Sequence, residues 1–268
     1  MMVCRESLYY INYSVTYPEL THNRFVNIIY SIYKSSIIYC LSVAMLYLIP
    51  TPVWNKDDIT LRALKLFKEL KYFICEDTRT TMKLFGMYDV DYKEKEFLSL
   101  TSFTTAWKFQ HYLNILKTSD MGCVSEAWTP GLSDPGKSMI QLCNENSLPY
   151  SILPGANALV PAVVGAWFDT SKFTFIWFLP TKKGRQTALK AMIENKDEIP
   201  TFFYESVHRV EKLMHELKAL WFTWKVSVTR ELSKMFEQQV TADIDQILVF
   251  LKEGKIPLKG EFVIGVSN

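Results

Sequence analysis

A chain of 268 residues that is 49% hydrophobic and 22% charged can bury the core of one large or two ordinary domains, which excludes an intrinsically disordered protein. A net charge of +2 neither demands nor excludes nucleic acid, so any such contact has to come from a local basic patch. The five cysteines, at 4, 40, 75, 123 and 143, form no C-x-x-C pair; an odd, scattered set points away from disulfides and zinc and towards reduced thiols in a cytoplasmic protein.

Residues 1–44 are rich in Tyr, Ser, Asn and Thr and lack periodicity. The uncharged run from Ser35 to Ile49 invites a membrane reading, but Pro50 and Pro52 cut it short and no cleavage site precedes it. The segment reads as an extension outside the fold, which starts at Met45, with no membrane anchor. Leu46 to Ile49 is a first buried strand, followed by a Pro-containing loop to Asp58. Asp58 is expected to cap a helix over Ile59 to Leu70, with Leu61, Leu64, Phe67 and Leu70 on one face. Tyr72 to Cys75 is a second strand, and CEDTRTTMKLF runs off its end into another helix. Glu76, Asp77 and Arg79 thus stand at a strand's carboxyl end, where a ligand role weighs about equally with an ordinary helix start. Phe97 to Leu100 is a third strand and Lys108 to Leu116 a helix.

Met121 to Val124 is a strand that breaks into Thr129-Pro130-Gly131 and Ser133-Asp134-Pro135-Gly136. A helix with Met139, Ile140, Leu142 and Cys143 on one face follows. Strand, Gly/Pro loop, then helix presents backbone N–H groups at the carboxyl end of a sheet, where ligands bind. Tyr150 to Leu153, Pro154-Gly155 and a small-residue helix from Ala158 make a second such junction. These units give an α/β domain of parallel type over residues 45–153. Residues 154–268 read as a second α/β domain with a mixed sheet: strands at Phe173 to Phe178, Thr201 to Tyr204, Lys225 to Thr229 and Glu261 to Val266, and helices over Val210 to Leu220 and up to Phe250–Gly254. Lys182, Lys183 and Arg185 lie in a loop before a helix. No cluster of metal-ligand residues is present.

The segments LYLIPTPVWNKDDITLRAL, CEDTRTT, SEAWTPGLSDPG, PGANAL, FLPTKKGRQ, FYESVHR, TRELSK and KGEFVI, in that order, resemble the tetrapyrrole-methylase-like (class III) S-adenosylmethionine-dependent methyltransferases, and within them the branch that 2′-O-methylates a cytidine ribose of 16S ribosomal RNA. The resemblance spans Met45 to Asn268. It implies two α/β domains with S-adenosylmethionine in the cleft between them, a homodimer, and the small ribosomal subunit or its RNA as partner. Carried over residue by residue, it implies a cofactor pocket of Pro50, Pro52 and Trp54, of Ser125, Glu126, Ala127, Trp128, Thr129 and Pro130, of Pro154, Gly155, Asn157 and Ala158, and of Tyr204 and Glu205. Glu76, Asp77 and Arg79 match the family's EDTR and become the catalytic candidates, with Glu205 and His208 as further possible bases. Lys182, Lys183, Arg185 and Arg230 become RNA-phosphate contacts. A tetrapyrrole or other small-molecule substrate and an inactive RNA-binding homologue stay open as alternatives.

The chain departs from that pattern. A histidine-containing segment expected after the third strand is replaced by SLTSFTTAW, and Glu126 and Val207 replace the usual Asp and Pro. Trp54, Trp128, Trp167, Trp177 and Trp221 stand where the family has glycine. Glycine permits positive φ and close backbone approach, which an indole does not. The chain has 10 glycines and 7 tryptophans, together 17, against roughly 19 glycines at average usage. The expectation is that the gene reads UGA as glycine at these codons; the alternative is a pocket plugged by genuine tryptophans.

Overall fold

The structure, a computed structural model, describes residues 44–194, 199–220 and 225–267. The expected N-terminal extension up to residue 43, Cys4, Cys40 and Trp221 lie outside the described residues. Five short apolar runs form the first sheet: β1 (Leu46–Ile49), β2 (Tyr72–Cys75), β3 (Glu96–Ser99), β4 (Met121–Val124) and β5 (Tyr150–Ile152). Their order is β3-β2-β4-β1-β5, and every pairing is parallel. Parallel neighbours need crossover helices, and helices on both faces bury the central strands. That is why LYLI and MGCV are continuous apolar runs with every residue buried.

Helices α1 (Leu61–Glu69) and α2 (Thr78–Met87) cover one face. There the rings of Phe67 and Phe85 stack at 4.5 Å between centroids, and Phe73 meets Phe85 edge to face at 4.9 Å. Helices α3 (Ala106–Leu116) and α4 (Gly136–Glu145) cover the other, where Tyr112, Leu116, Met139 and Cys143 pack against Leu48 and Cys123. Two sequence expectations are corrected here. The cap of α1 is Thr60, whose hydroxyl accepts from the Ala63 N–H at 3.1 Å; Asp58 instead ends a short 3-10 turn, Lys56–Asp58, because Ile59 between them is extended. Of the expected face of α1, Phe67 and Leu70 are buried and Leu64 packs beside them, with Ala63 and Leu66 added, while Leu61 in the first turn projects into solvent.

The second sheet runs β6-β7-β10-β8-β9, built from β6 (Thr174–Phe178), β7 (Thr201–Glu205), β8 (Lys225–Arg230), β9 (Gln238–Asp243) and β10 (Phe262–Ser267). Only β6 and β7 are parallel; the rest is antiparallel. Helices α6 (Arg185–Ile193), α7 (Val207–Ala219) and α8 (Ile244–Lys252) enclose a core in which Val210, Leu213 and Leu217 meet Phe203 and Ile264. Strand β9 was not expected: QQVTAD has only Val240 and Ala242 as apolar residues, and it is an edge strand placed by pairing with β8. The expected division at Leu153–Pro154 falls between β5 and α5 (Leu159–Gly165). Helix α5 packs Val163 against Phe202 of the second sheet, and β9 holds it through Gln239 Nε2 to the Ala162 carbonyl and Thr241 Oγ1 to the Ala166 carbonyl. Among the described residues no helix is long and apolar enough to cross a membrane.

Candidate active site

All five parallel strands end at one edge, so the loops after β1, β2, β4 and β5 converge there. The Ser125–Pro135 loop is tied to the Pro50–Asn55 loop by a two-residue antiparallel bridge: Thr51 N–H donates to the Trp128 carbonyl at 3.1 Å and Trp128 N–H to the Thr51 carbonyl at 3.2 Å. Buried Ser125 donates its hydroxyl to the carbonyls of Ala127 and Trp128, and Thr51 donates its own to the Ser125 carbonyl. At the far end of the loop Asp134 accepts from the N–H groups of Gly131, which has φ +100°, and Gly136, an Asx-type closure. Thr51 and Asp134 were not among the expected site residues. The SDPG tetrapeptide was the available signal for Asp134; for Thr51 it was only its place in the Pro50–Asn55 loop, since its bridging role depends on which strand lies beside β1.

The β5 loop closes the third side. A Cβ on Gly155 would come within 2.3 Å of the Pro50 Cβ, so these loops touch only because residue 155 is glycine. Asn157 accepts from the Val160 N–H and starts α5. Pro50 and Pro52 are buried, while Pro154 is exposed and Ala158 half-buried.

The acids at the end of β2 divide the labour. Asp77 caps α2, its Oδ1 accepting from the Arg79 N–H at 2.8 Å, which is the ordinary helix-start role. Glu76 is half-buried, and burial, with the Asp134 and Glu126 carboxylates nearby, holds its pKa above the usual range. A carboxylate so raised is a better proton acceptor for a hydroxyl. Arg79 is exposed at the first turn of α2.

From the second sheet, Tyr204 at the end of β7 faces this edge; burial and the Glu261 carboxylate push its phenol up to about 12. Trp177 of β6 meets the Tyr204 ring edge to face at 5.1 Å and the Trp128 ring at 5.4 Å. Trp54, 55% exposed, donates its indole N–H to Glu261 at 2.6 Å and has the Lys234 ammonium 3.8 Å over its ring. Asp58 accepts from the Ser233 hydroxyl at 2.5 Å. Three of the unexpected tryptophans therefore lie between the two sheets, while Trp167 is apart from them and 90% exposed.

Two expected roles are corrected. Glu205 is no free base: its buried carboxylate accepts from Arg185 at 3.2 Å, Arg209 at 2.6 Å and the Ser206 N–H. Arg185 is no phosphate contact, because its guanidinium is 4% exposed and paired with Glu205 and Glu216. Arg230 is likewise buried and donates to the carbonyls of Lys259 and Phe236. These arginines face inward because carboxylates or backbone carbonyls beneath the surface accept from their forked N–H groups, something a run of basic letters does not reveal. Lys182 and Lys183 remain exposed on the loop before α6.

Residues 45–248 match the model of a family described as tetrapyrrole (corrin/porphyrin) methylases. The chain is 33% identical over 224 residues to a protein of a Hydrogenobaculum species named ribosomal RNA small subunit methyltransferase I, covering 83% of this chain and 95% of that one. It is 32% identical to the protein of the same name from Helicobacter pylori, covering 84% and 82%. Among solved structures it is similar to the methyltransferase CobJ, with a TM-score of 0.57 at 12% identity over 84% of this chain and 94% of that one. A Thermus thermophilus uroporphyrin-III C-methyl transferase, solved with S-adenyl homocysteine, gives 0.52 at 12% identity over 84% and 98%. At such identity these two establish the fold.

Proposed function

Because the chain belongs to the tetrapyrrole (corrin/porphyrin) methylase family, we propose that it is an S-adenosylmethionine-dependent methyltransferase of small-subunit ribosomal RNA, acting on the ribose 2′-hydroxyl of a cytidine in 16S rRNA. The observation that carries this reading is the placement of Glu76. It is a half-buried carboxylate with a raised pKa, at the same sheet edge as the bridged Thr51–Trp128 loops. A ribose hydroxyl is a weak nucleophile that needs a nearby proton acceptor and close alignment. Glu76 supplies the first, at the end of β2 just before Asp77 caps α2. Lys182, Lys183 and Arg79 are among the exposed cations available to phosphate. We place the protein in the cytoplasm, as a homodimer.

The residues as written do not fit the cofactor. The indoles of Trp128 and Trp177 touch across the space between the Ser125–Pro135 loop and β6–β7, the cleft that the resemblance assigns to the cofactor. This favours a second reading, an RNA-binding homologue without transferase activity. Titration calorimetry with S-adenosylmethionine separates the two. A chain with glycine at 54, 128 and 177 binds and the chain as written does not, if the enzyme reading holds; absence of binding by both chains removes it. Mapping ribose methyls on 16S rRNA after deletion of the gene tests the substrate: loss of a single cytidine methyl is expected, and an unchanged map overturns the assignment. Light scattering that returns the monomer mass removes the dimer.

A further inference from the structure

The disagreement between the tryptophans and the cofactor cleft has a backbone signature. Five tryptophans fall within the described residues, at 54, 107, 128, 167 and 177. Two of them, Trp128 at φ +68° and Trp167 at φ +62°, occupy the left-handed region. Only a few per cent of non-glycine residues do so, and those are mostly small polar ones. Among the described residues the other non-glycine residues at positive φ are Asp89, Ser133, Ser147, Glu231 and Ser233.

Neither backbone is free to choose another conformation. At Trp128 three hydrogen bonds fix the main chain: both arms of the bridge to Thr51 and the Ser125 hydroxyl on its carbonyl. Its indole does not return the cost, for Nε1 is buried with no hydrogen-bond partner, which an indole N–H in a fitted site would have. At Trp167 the reason is different. Helix α5 ends at Gly165 with Ala166 as the C-cap, so residue 167 is the first beyond the cap, the position that closes a helix in the left-handed conformation and is usually glycine. The indole there is 90% exposed and gains nothing from burial. Trp107, by contrast, lies inside α3 on a helical backbone.

We infer that the working protein carries glycine at 128 and 167, and that the codons at these positions are UGA read as glycine. The same reassignment at 54 and 177 removes the indoles that fill the cleft. This inference builds on the methyltransferase reading for its consequence, but its evidence is the backbone and its tests do not involve activity.

Three measurements bear on it. The gene is expected to have UGA at codons 128 and 167, and UGG at either overturns the inference. In protein purified from its native source, the tryptic peptide spanning Cys123 to Gly136 is expected to have the mass of the glycine form; the tryptophan mass overturns it. In the recombinant chain, Trp167→Gly is expected to raise the urea midpoint, while Trp107→Gly in the helix lowers it. A lower midpoint for W167G overturns the backbone argument. Glycine at both codons with an unchanged rRNA methylation map would leave this inference standing and remove only the substrate proposal.

Discussion

Glu76 shows how a single carboxylate is prepared by its surroundings. Its folded-state pKa is raised, first by burial and then by Asp134 and Glu126. The stability it contributes is therefore fully present below its ordinary value of 4.5 and is lost as pH rises through the shifted one. Glu76→Gln removes that penalty: we expect the variant to be more stable than the parent to urea at pH 7, with the difference vanishing near pH 4. The same variant is expected to lose methyl transfer, since glutamine accepts no proton from the ribose. A neutral-pH stability below that of the parent would contradict the cause assigned to the shift. Asp77, next in sequence, has the same chemistry and a different task, because its Oδ1 is already engaged by the Arg79 N–H. The letters E-D-T-R placed both acids at a strand end; only the helix start that follows distinguishes them.

Between elements, the site depends on loops that touch. Gly155 allows the β5 loop against Pro50, and Gly155→Ala is expected to cost about 1–3 kcal/mol by overpacking, read as a lowered denaturation midpoint, because a Cβ would meet the Pro50 ring. If the midpoint is unchanged, the loops are less tightly joined than the geometry indicates. On the other sheet, β7, α6 and α7 are joined by the Arg185–Glu205–Arg209 cluster, with Glu216 on its rim. Removing the central charge by Glu205→Gln leaves the buried Arg185 and the half-buried Arg209 guanidinium groups short of a partner, at a cost of about 3 kcal/mol; urea titration measures it. The inner strands β1, β2 and β4 were legible to the residue because strands buried on both faces demand unbroken apolar runs, while the edge strands β3 and β5, which are not such runs, were placed to within a residue. The same reasoning could not find β9, whose polar edge sequence carries no such run. It also placed the start of α1 two residues early, at Asp58 and not Thr60, and so counted the first-turn Leu61 on the buried face.

Over the whole molecule, RNA has to meet a surface with little net charge, so a few exposed cations decide affinity. The double variant Lys182→Ala/Lys183→Ala is expected to weaken binding of 16S rRNA fragments and to reduce the slope of log affinity against log salt by about 2. Fluorescence anisotropy at several salt concentrations reads this, and an unchanged slope would move the RNA contact elsewhere. By itself, the sequence determined the two-sheet α/β plan, the family and the strand ends at which the site lies, because burial periodicity and loop motifs are local properties of the chain. What tertiary structure decided was which charges are available and which residues fit. Arg185 is turned inward by Glu205 and Glu216, 20 and 31 residues away in sequence, and Arg230 by the Lys259 carbonyl, 29 away, beside nearer partners such as Arg209 for Glu205 and Phe236 for Arg230. Trp128 and Trp167 are held at positive φ by a bridge to another loop and by the end of a helix, constraints that no reading of neighbouring letters contains.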